Sequence, residues 1–450
     1  MTTALREAHL RADPAYPPQP SDRPSLWLTV PACMLLGFSA ISIVGTTFSM
    51  LLMLIGLAVA RPRWPFTGRE LWRMLLPFYG LFAAIVLSAV FNAHPLANLH
   101  NAAHEYRLIL LPLFLGLVLP HVDNRLLLRV WCWSVLAMGI YGLAQFLTGW
   151  VVPWPARPPL TEISPYYRAS GAFINALTYS GYMVLAWPPL LMLGLAERGR
   201  SRWPWLAAAA AAVVGILASL SRSSYLGLLA SALVLLYRWN RRWATVIVAL
   251  VLVLMAGMIA LQSKLAPELR SASAVEGSSL MRRFVLSDPA DDTSAKDRLF
   301  LWQAGLLGFA DRPLLGFGLF NHDPELGPYQ RRVAAAHGVP DYHYSVGYGS
   351  PLHNIYVRSL FDLGLVGFLA YLSLWGAVFA TIARGLRRLN PGDRWRSFLL
   401  WGLAAAMAGS MVAGFFEDNF YDGEVQAIIV IVMVLALHFA RSAAPASDST

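Results

Sequence analysis

The sequence predicts an all-α, polytopic integral membrane protein with about 12 transmembrane helices and one large outer loop that carries short helices. Of the 450 residues, 57% are hydrophobic and only 13% are charged, whereas soluble domains carry about 25% charged residues. Apolar runs recur along most of the chain, with the roughly 17–25 residues that a helix needs to cross the hydrocarbon core of a bilayer. These observations exclude a soluble globular protein.

The apolar runs divide the chain into two tails, two groups of spans and one loop. The first two spans form a hairpin that is predicted to turn at Gly45. The regions are a cytoplasmic tail (1–25), spans one to nine (26–262), the outer loop (263–352), spans ten to twelve (353–441) and a second cytoplasmic tail (442–450). The twelve spans lie near 27–43, 47–60, 74–92, 106–120, 130–148, 175–195, 204–220, 224–238, 244–262, 355–383, 397–416 and 425–440.

The net charge of +10 indicates orientation and not nucleic-acid binding. Lys and Arg are concentrated in segments such as "ERGRSRW", "RWNRRW" and "RGLRRLNPGDRWR", which we place in the cytoplasm with both termini. Cytoplasmic loops of membrane proteins carry such an excess of basic residues. Both cysteines, Cys33 and Cys132, lie in apolar runs, so no disulfide framework is indicated.

The outer loop is long enough to be functional or to carry structure of its own. The stretch "DTSAKDRLFLWQAGLLGFADRP" predicts a helix whose apolar middle lies in the membrane interface or against the bundle. The polar stretches "SDPADDTS" and "HDPELGPYQ" are typical of turns. We interpret the acidic residues at 288–292 as turn chemistry and not as a metal site.

Three arginines near the outer face are candidate anion ligands. Arg222 in "SLSRSSYLG" begins a helix, and the helix dipole disfavours a cation there unless an anion is bound. The alternative is an arginine that reaches lipid phosphates. Arg298 could equally form a surface ion pair with the adjacent Asp297, and Arg168 could be an interfacial anchor beside two tyrosines.

The stretch "SPLHNIYVRSLFDLGLVGFLAYL" (350–372) opens span ten with polar residues. Ser350 as N-cap and Pro351 as first helical residue would place His353 in the first turn. The helix dipole there favours neutral imidazole, which can accept a proton from a hydroxyl. Asn354 adds a donor and an acceptor. The alternative is a histidine that only contributes to the start of the helix.

The same stretch carries a family signature. The pair "HN", nine further residues and then "GLVG" resemble the O-antigen ligase family of bacterial membrane glycosyltransferases. "RASGAFINALTYSGY", "SRSSYLGLL" and "RLFLWQAGLLGFADRPLLGFGLFN" resemble further blocks of that family, in the same order, over about residues 160–385. The glycines at 364 and 367 lie one turn apart and would let another helix approach closely.

The resemblance implies a GT-C-like fold and a reaction at the periplasmic face of the inner membrane. The donor would be a polysaccharide on undecaprenyl diphosphate, and the acceptor a sugar hydroxyl of lipid A–core. Arg222 and Arg298 would hold the diphosphate, His353 would be the base or orient the acceptor, and Arg168 and Asn354 would contact substrate. The transfer would invert the sugar and need neither cofactor nor metal. The oligomeric state is left open.

Other functions share part of this pattern. A polymerase of lipid-linked repeat units, or a protein O-oligosaccharyltransferase, would use the same donor site. A transporter or flippase would require ionisable residues near the bilayer midplane and broken helices in paired halves. The acidic stretch "EDNFYDGE" (417–424) either repels or positions the substrate, and its sequence does not distinguish the two.

Overall fold

The computed structural model describes most of the chain outside its two tails. The described residues are 25–62, 67–152, 160–163, 165–248, 293–319, 322–344 and 351–442. The two predicted tails (1–25 and 442–450), except for residues 25 and 442, and most of the predicted ninth span (244–262) therefore lie outside the described residues.

Almost all regular structure in these residues is helical. The strands form a single antiparallel pair, β1 (Glu162–Ile163) and β2 (Tyr166–Tyr167). The helices are α1 (Leu26–Ser39), α2 (Ile43–Ala60), α3 (Gly68–Val90), α4 (Pro95–Ala103), α5 (Arg107–Val118), α6 (Asn124–Thr148), α7 (Ala176–Ala196), α8 (Trp203–Ala218), α9 (Arg222–Trp239), α10 (Thr293–Asp311), α11 (His322–Ala336), α12 (Ile355–Arg388), α13 (Arg394–Ala413) and α14 (Gly423–Arg441).

The all-α, polytopic membrane fold is confirmed. Nine helical stretches of the described part are long and apolar enough to cross a bilayer, and two of them, Pro95–His121 and Gly199–Ala218, combine consecutive helices. They correspond to the predicted spans two to seven and ten to twelve. The first predicted span is the shorter apolar helix α1, and the eighth corresponds to the 18-residue helix α9. The total of about 12 spans and their orientation remain predictions.

The turn of the first hairpin lies before Gly45, and the prediction that it turns at Gly45 is wrong. Helix α1 ends at Ser39, and α2 begins at Ile43 after Ser42, whose hydroxyl accepts a hydrogen bond from the Gly45 N–H at 3.1 Å. Gly45 is inside α2, where a side chain would collide with the ring of Phe38. The glycine therefore allows close packing of the two helices and does not form the turn.

Polar residues at the helix starts explain why the apolar runs break into separate helices. Thr67 and Glu70 form a capping box at α3. Asp123, Asn175 and Asp422 accept hydrogen bonds from the first N–H groups of α6, α7 and α14. Between these caps, α7 and α14 are buried along most of their length and form the centre of the bundle.

The described part of the outer loop has a small core of its own. Helices α10 and α11 enclose Phe300, Leu301 and Ala304 together with Leu326 and Val333, and residues at the start of α12 complete the cluster. The stretch "HDPELGPYQ" is part of helix α11, so its interpretation as a turn is wrong. The burial of α11 side chains against α10 stabilises a helix that its polar sequence does not indicate.

Helix α12 is interrupted at Gly364, which has φ +63° and ψ −165°. The turn at 313–318 lies against this break and replaces the missing hydrogen bonds, because every backbone polar group in a membrane needs a partner. The four bonds, of 2.7–3.2 Å, run from the N–H groups of Leu365, Val366, Phe317 and Gly318 to the carbonyls of Pro313, Leu314, Phe361 and Asp362 respectively.

The expectation that Gly364 and Gly367 let another helix approach closely is therefore wrong. The backbone of Leu314, which is part of a turn, occupies the space where a side chain of residue 364 would be. Gly367 faces Leu363 of the same helix across the break. Gly364 allows the turn at 313–318 to approach the helix, and the contacts of Gly364 and Gly367 are not those of a helix–helix crossing.

We predict that Gly364→Ala destabilises the protein. A left-handed conformation at a residue other than glycine costs about 1–3 kcal/mol, and the new Cβ would also overlap the backbone of Leu314. Thermal unfolding of the detergent-solubilised protein should show a lower midpoint. Gly376→Ala is the matched control, because it lies in the same helix with open space around it. It should leave the midpoint unchanged or raise it, because alanine in a helix adds at most about 1 kcal/mol to the free energy of unfolding. Equal effects of the two substitutions would contradict the role of the break.

Candidate active site

Helix α12 begins directly after Asn354, and His353 lies just outside it. The Asn354 side-chain oxygen accepts two hydrogen bonds of 3.0 Å from the first turn. The prediction that Ser350 caps a helix starting at Pro351 is therefore wrong, because the asparagine amide makes the cap. Asn354 is buried and supports the helix start. A role in substrate binding remains a prediction.

His353 is held in a left-handed backbone conformation. Of the described non-glycine residues, three have positive φ: Arg61, Leu220 (+52°) and His353 (+48°). Such conformations cost about 1–3 kcal/mol and are concentrated at functional sites. Leu220 comes two residues before Arg222. Backbone strain is therefore found at His353 itself and two residues before Arg222, which are two of the three residues that the sequence predicts to be catalytic.

Glu417 joins three elements that are distant in sequence. It lies between α13 and α14, and its side chain is only 3% exposed. The Ser223 hydroxyl donates a hydrogen bond of 3.1 Å to Oε1, and Arg298 Nη2 donates one of 3.3 Å to the same oxygen. Nδ1 of His353 lies 3.8 Å from Oε2. The structure thus places His353 and Arg298 on one buried carboxylate.

The charge around His353 favours its protonated form. Burial lowers the pKa of His353, but the carboxylates of Glu417 and Asp418 raise it by more, so the pKa is above the ordinary value of 6.5. The expectation of neutral imidazole is therefore not supported. That expectation placed His353 in the first turn, where the positive end of the helix dipole would lower its pKa. In the structure His353 precedes the helix, and the nearby carboxylates raise its pKa. The contact of 3.8 Å is an ion-pair distance, longer than a hydrogen bond.

Arg222 is the first residue of α9, as the sequence predicted, and it is exposed. Ser221 is the N-cap residue, but its hydroxyl bonds to the Ser223 hydroxyl at 2.8 Å and makes no cap. Ser223 in turn bonds to Glu417. The start of α9, with Arg222, is therefore connected to the carboxylate through the next residue. Whether Arg222 binds a donor diphosphate stays a prediction.

Arg168 is attached to the turn that leads to Arg222. Its Nε donates a hydrogen bond of 2.8 Å to the Ser219 carbonyl, and its N–H donates one of 2.9 Å to Thr161. The short β1–β2 hairpin precedes it directly. Arg168 thus holds the end of α8 near the start of α9. A direct substrate contact by this arginine remains a prediction.

Comparison with known proteins gives one family match, over part of the chain. Residues 176–372 match the family model described as O-antigen ligase. The resemblance to the O-antigen ligase family is confirmed. No curated protein gives a significant match to the chain. The family comprises glycosyltransferase-type ligases and polymerases, so the chain has a function of this broad type.

The O-antigen ligase match includes Arg222, Ser223, Arg298, His353 and Asn354, but not Arg168 or Glu417. Arg168 precedes the matched residues and Glu417 follows them. The predicted extent, 160–385, exceeds the matched segment at both ends. The carboxylate that joins the three candidate residues therefore comes from a part of the chain that the family match does not include.

Sequence reasoning missed the role of Glu417. The only available signal was the acidic stretch 417–424, and nothing in it separates one carboxylate from another. In the structure, the acidic residues of this stretch make different contacts. Asp422 caps α14 and accepts a hydrogen bond of 2.6 Å from Thr178, whereas Glu417 and Asp418 face the site. The distinction depends on where α13 ends, which no local pattern reveals.

Buried charges behind the candidate site connect it to the break in α12. Arg358 is 4% exposed and contacts Asp362 at 3.2 Å and Asp418 at 2.5 Å. Its guanidinium also lies 4.6 Å from the ring centre of Tyr421. Asp418 adjoins Glu417, and Asp362 lies two residues before Gly364. Arg358 therefore links the loop that carries Glu417 to the segment that receives the inserted turn.

Within the described residues, no group of three or more His, Cys, Asp and Glu side chains is placed to hold a metal ion. The acidic run at 288–292 lies outside those residues. A metal-independent reaction therefore stays a prediction.

We predict that Arg358→Gln destabilises the protein by about 3–5 kcal/mol, because it removes a buried cation that contacts the buried Asp362 and the partly buried Asp418. The free energy of unfolding of the purified protein in detergent measures the effect. Arg384→Gln is the matched control on the same helix, since Arg384 is exposed and bonds only within its own turns among the contacts that the structure records. It should change stability by less than about 0.5 kcal/mol. An Arg358 variant as stable as this control would contradict the network.

Proposed function

We propose that the protein is an O-antigen ligase. It transfers a finished polysaccharide from undecaprenyl diphosphate to a sugar hydroxyl of lipid A–core, at the periplasmic face of the inner membrane. The observation that carries this proposal is the convergence of Arg298 and His353 on Glu417, next to the start of the helix that bears Arg222. Arginines that can bind a diphosphate and a histidine that can act as a base thus lie close to the same carboxylate.

The arginines bind the leaving group. Cleavage of the bond between sugar and phosphate leaves negative charge on the diphosphate, and fixed cations near this charge lower the barrier. Arginine suits phosphate because its planar fork donates two parallel hydrogen bonds. Without donor, the cation of Arg298 is balanced by Glu417 at 3.3 Å. A bound diphosphate competes for the same guanidinium.

His353 with Glu417 activates the acceptor. Nδ1 of His353 faces the carboxylate, which leaves Nε2 as the nitrogen that accepts the acceptor's proton. The acceptor oxygen then forms a bond to the anomeric carbon while the bond from this carbon to the phosphate oxygen breaks. Undecaprenyl diphosphate leaves with the electron pair, and the sugar is inverted. Glu417 stabilises the resulting imidazolium, as a buried carboxylate does beside a catalytic histidine.

The electrophoretic pattern of lipopolysaccharide from a host strain lacking this gene tests the proposal. Core without any O-units, together with polymer accumulated on undecaprenyl diphosphate, is expected for a ligase. Core that bears a single repeat unit would identify a polymerase instead. An unchanged ladder would overturn both and would direct the search to another glycan or to protein acceptors.

The same strain, complemented with variants, tests the site. Arg298→Lys keeps the charge but loses the bidentate geometry, and loss of such a stabilising donor lowers turnover by about 10²–10³. We therefore expect the O-antigen ladder to disappear or fade strongly. Arg332→Lys is the matched control, because Arg332 is exposed on α11. Equal ladders from both variants at equal expression would contradict the role of Arg298.

The pH dependence of kcat/KM tests the base. Because only unprotonated His353 can accept a proton, the rate rises with pH through the pKa of His353 in the free enzyme. Glu417→Gln removes a negative charge that raises this pKa, so the rising limb moves to lower pH while the plateau falls. Asp422→Asn, in the same loop but at the cap of α14, should leave the limb in place. A limb that stays in place in Glu417→Gln would contradict the proton transfer.

A further inference from the structure

Helix α10 of the outer loop keeps apolar side chains exposed. Leu299 is 52% exposed and Leu306 is 47% exposed, and Leu314, in the turn that follows, is 65% exposed. A group of exposed large aliphatic side chains outside the membrane spans generally marks a surface that binds another protein or a membrane. No described residue covers them.

The exposed Leu299 and Leu306 lie on the same side of the helix as Trp302 and Phe309, which are partly buried. Leu299, Trp302, Leu306 and Phe309 follow each other at intervals of three and four residues, which places them along one face. We call these four residues the apolar face of α10. The opposite side carries Leu301 and Ala304, which are buried in the small core of the loop. The helix is therefore apolar on both sides, and on the apolar face Leu299 and Leu306 remain about half exposed.

The turn after α10 lies at the boundary of the hydrocarbon core. Pro313 and Leu314 accept hydrogen bonds from Leu365 and Val366, directly after the break in α12. The stretch from there to Arg384, 365–384, is about 30 Å long at 1.5 Å per residue, which equals the thickness of the core. Basic residues at 384–388 then mark the opposite headgroups.

The surface beside Leu314 is a lipid-facing surface. Leu365, Val366 and Leu369 of α12 are 42%, 39% and 51% exposed, and exposed aliphatic residues on a spanning helix face acyl chains. At the other side, Trp302 of the apolar face packs on Phe416 with ring centres 5.8 Å apart. Phe415, at the end of α13, is 50% exposed. The apolar face thus continues from the ends of two spanning helices.

We infer that α10 lies along the membrane surface on the side of Glu417, with its apolar face among the acyl chains of the bilayer. The occupant of this face is lipid, because the face is continuous with lipid-facing residues at both ends. Arg298 adjoins Leu299 on this helix, so the helix presents the site at the level where a lipid-anchored substrate carries its headgroup. The inference does not depend on the proposed reaction.

Spin labels on single cysteines test the inference in the full chain, reconstituted in lipid nanodiscs. The background is Cys33→Ala/Cys132→Ala, checked for an unchanged elution profile and unfolding midpoint. Leu306→Cys, Leu299→Cys and Leu314→Cys are labelled one at a time, so that one unstable variant does not end the test. Electron paramagnetic resonance then measures collisions with oxygen, which is concentrated in acyl chains, and with a water-soluble nickel chelate.

Two positions calibrate the measurement. Leu369→Cys on α12 reports lipid, and Ala335→Cys on the exposed side of α11 reports water. We expect labels on the apolar face to match Leu369, with an oxygen-to-nickel ratio several-fold above that of Ala335. A ratio like that of Ala335 would overturn the inference, since the face would then be in water. Low collision rates with both probes would also overturn it, because another part of the chain or a second copy would then cover the face.

Discussion

The buried carboxylate of Glu417 is the constraint on which the arrangement of the site depends. A buried charge is costly unless it is paired and hydrogen-bonded. Ser223, Arg298 and His353 supply these partners from α9, α10 and the segment before α12. The need to satisfy one anion therefore brings three distant parts of the chain together, and the cationic and acid–base groups of the proposed reaction become neighbours as a result.

The requirement that buried charges be paired also applies to the residues behind the site. Arg358 balances Asp362 and Asp418, and so joins the loop that carries Glu417 to the interrupted helix α12. The interruption at Gly364 would leave backbone groups without partners, and the turn at 313–318 supplies them. That turn follows α10, the helix that bears Arg298. The position of Arg298 is thus coupled to the break in α12 by backbone hydrogen bonds.

His353 shows how far local reasoning can mislead about chemistry. A histidine in the first turn of a helix is expected to be neutral, because the helix dipole opposes its charge. In the fold it lies before the helix cap and faces two carboxylates from a loop 64 residues later in the chain, which reverses the sign of the electrostatic effect. A raised pKa makes His353 a stronger base, and it also makes activity more sensitive to acid.

The sequence by itself determined the membrane-spanning class, the approximate positions of most spans, the resemblance to the O-antigen ligase family and the candidates Arg222, Arg298 and His353, because hydropathy and short motifs are local properties. Only the tertiary structure decided that α12 starts at its Asn354 cap, that it breaks at Gly364, that Gly45 serves packing and that Glu417 joins the candidates. These features depend on contacts between segments far apart in the chain. A charge or a free backbone group is satisfied by whichever segment the fold brings near, and no local pattern specifies that partner.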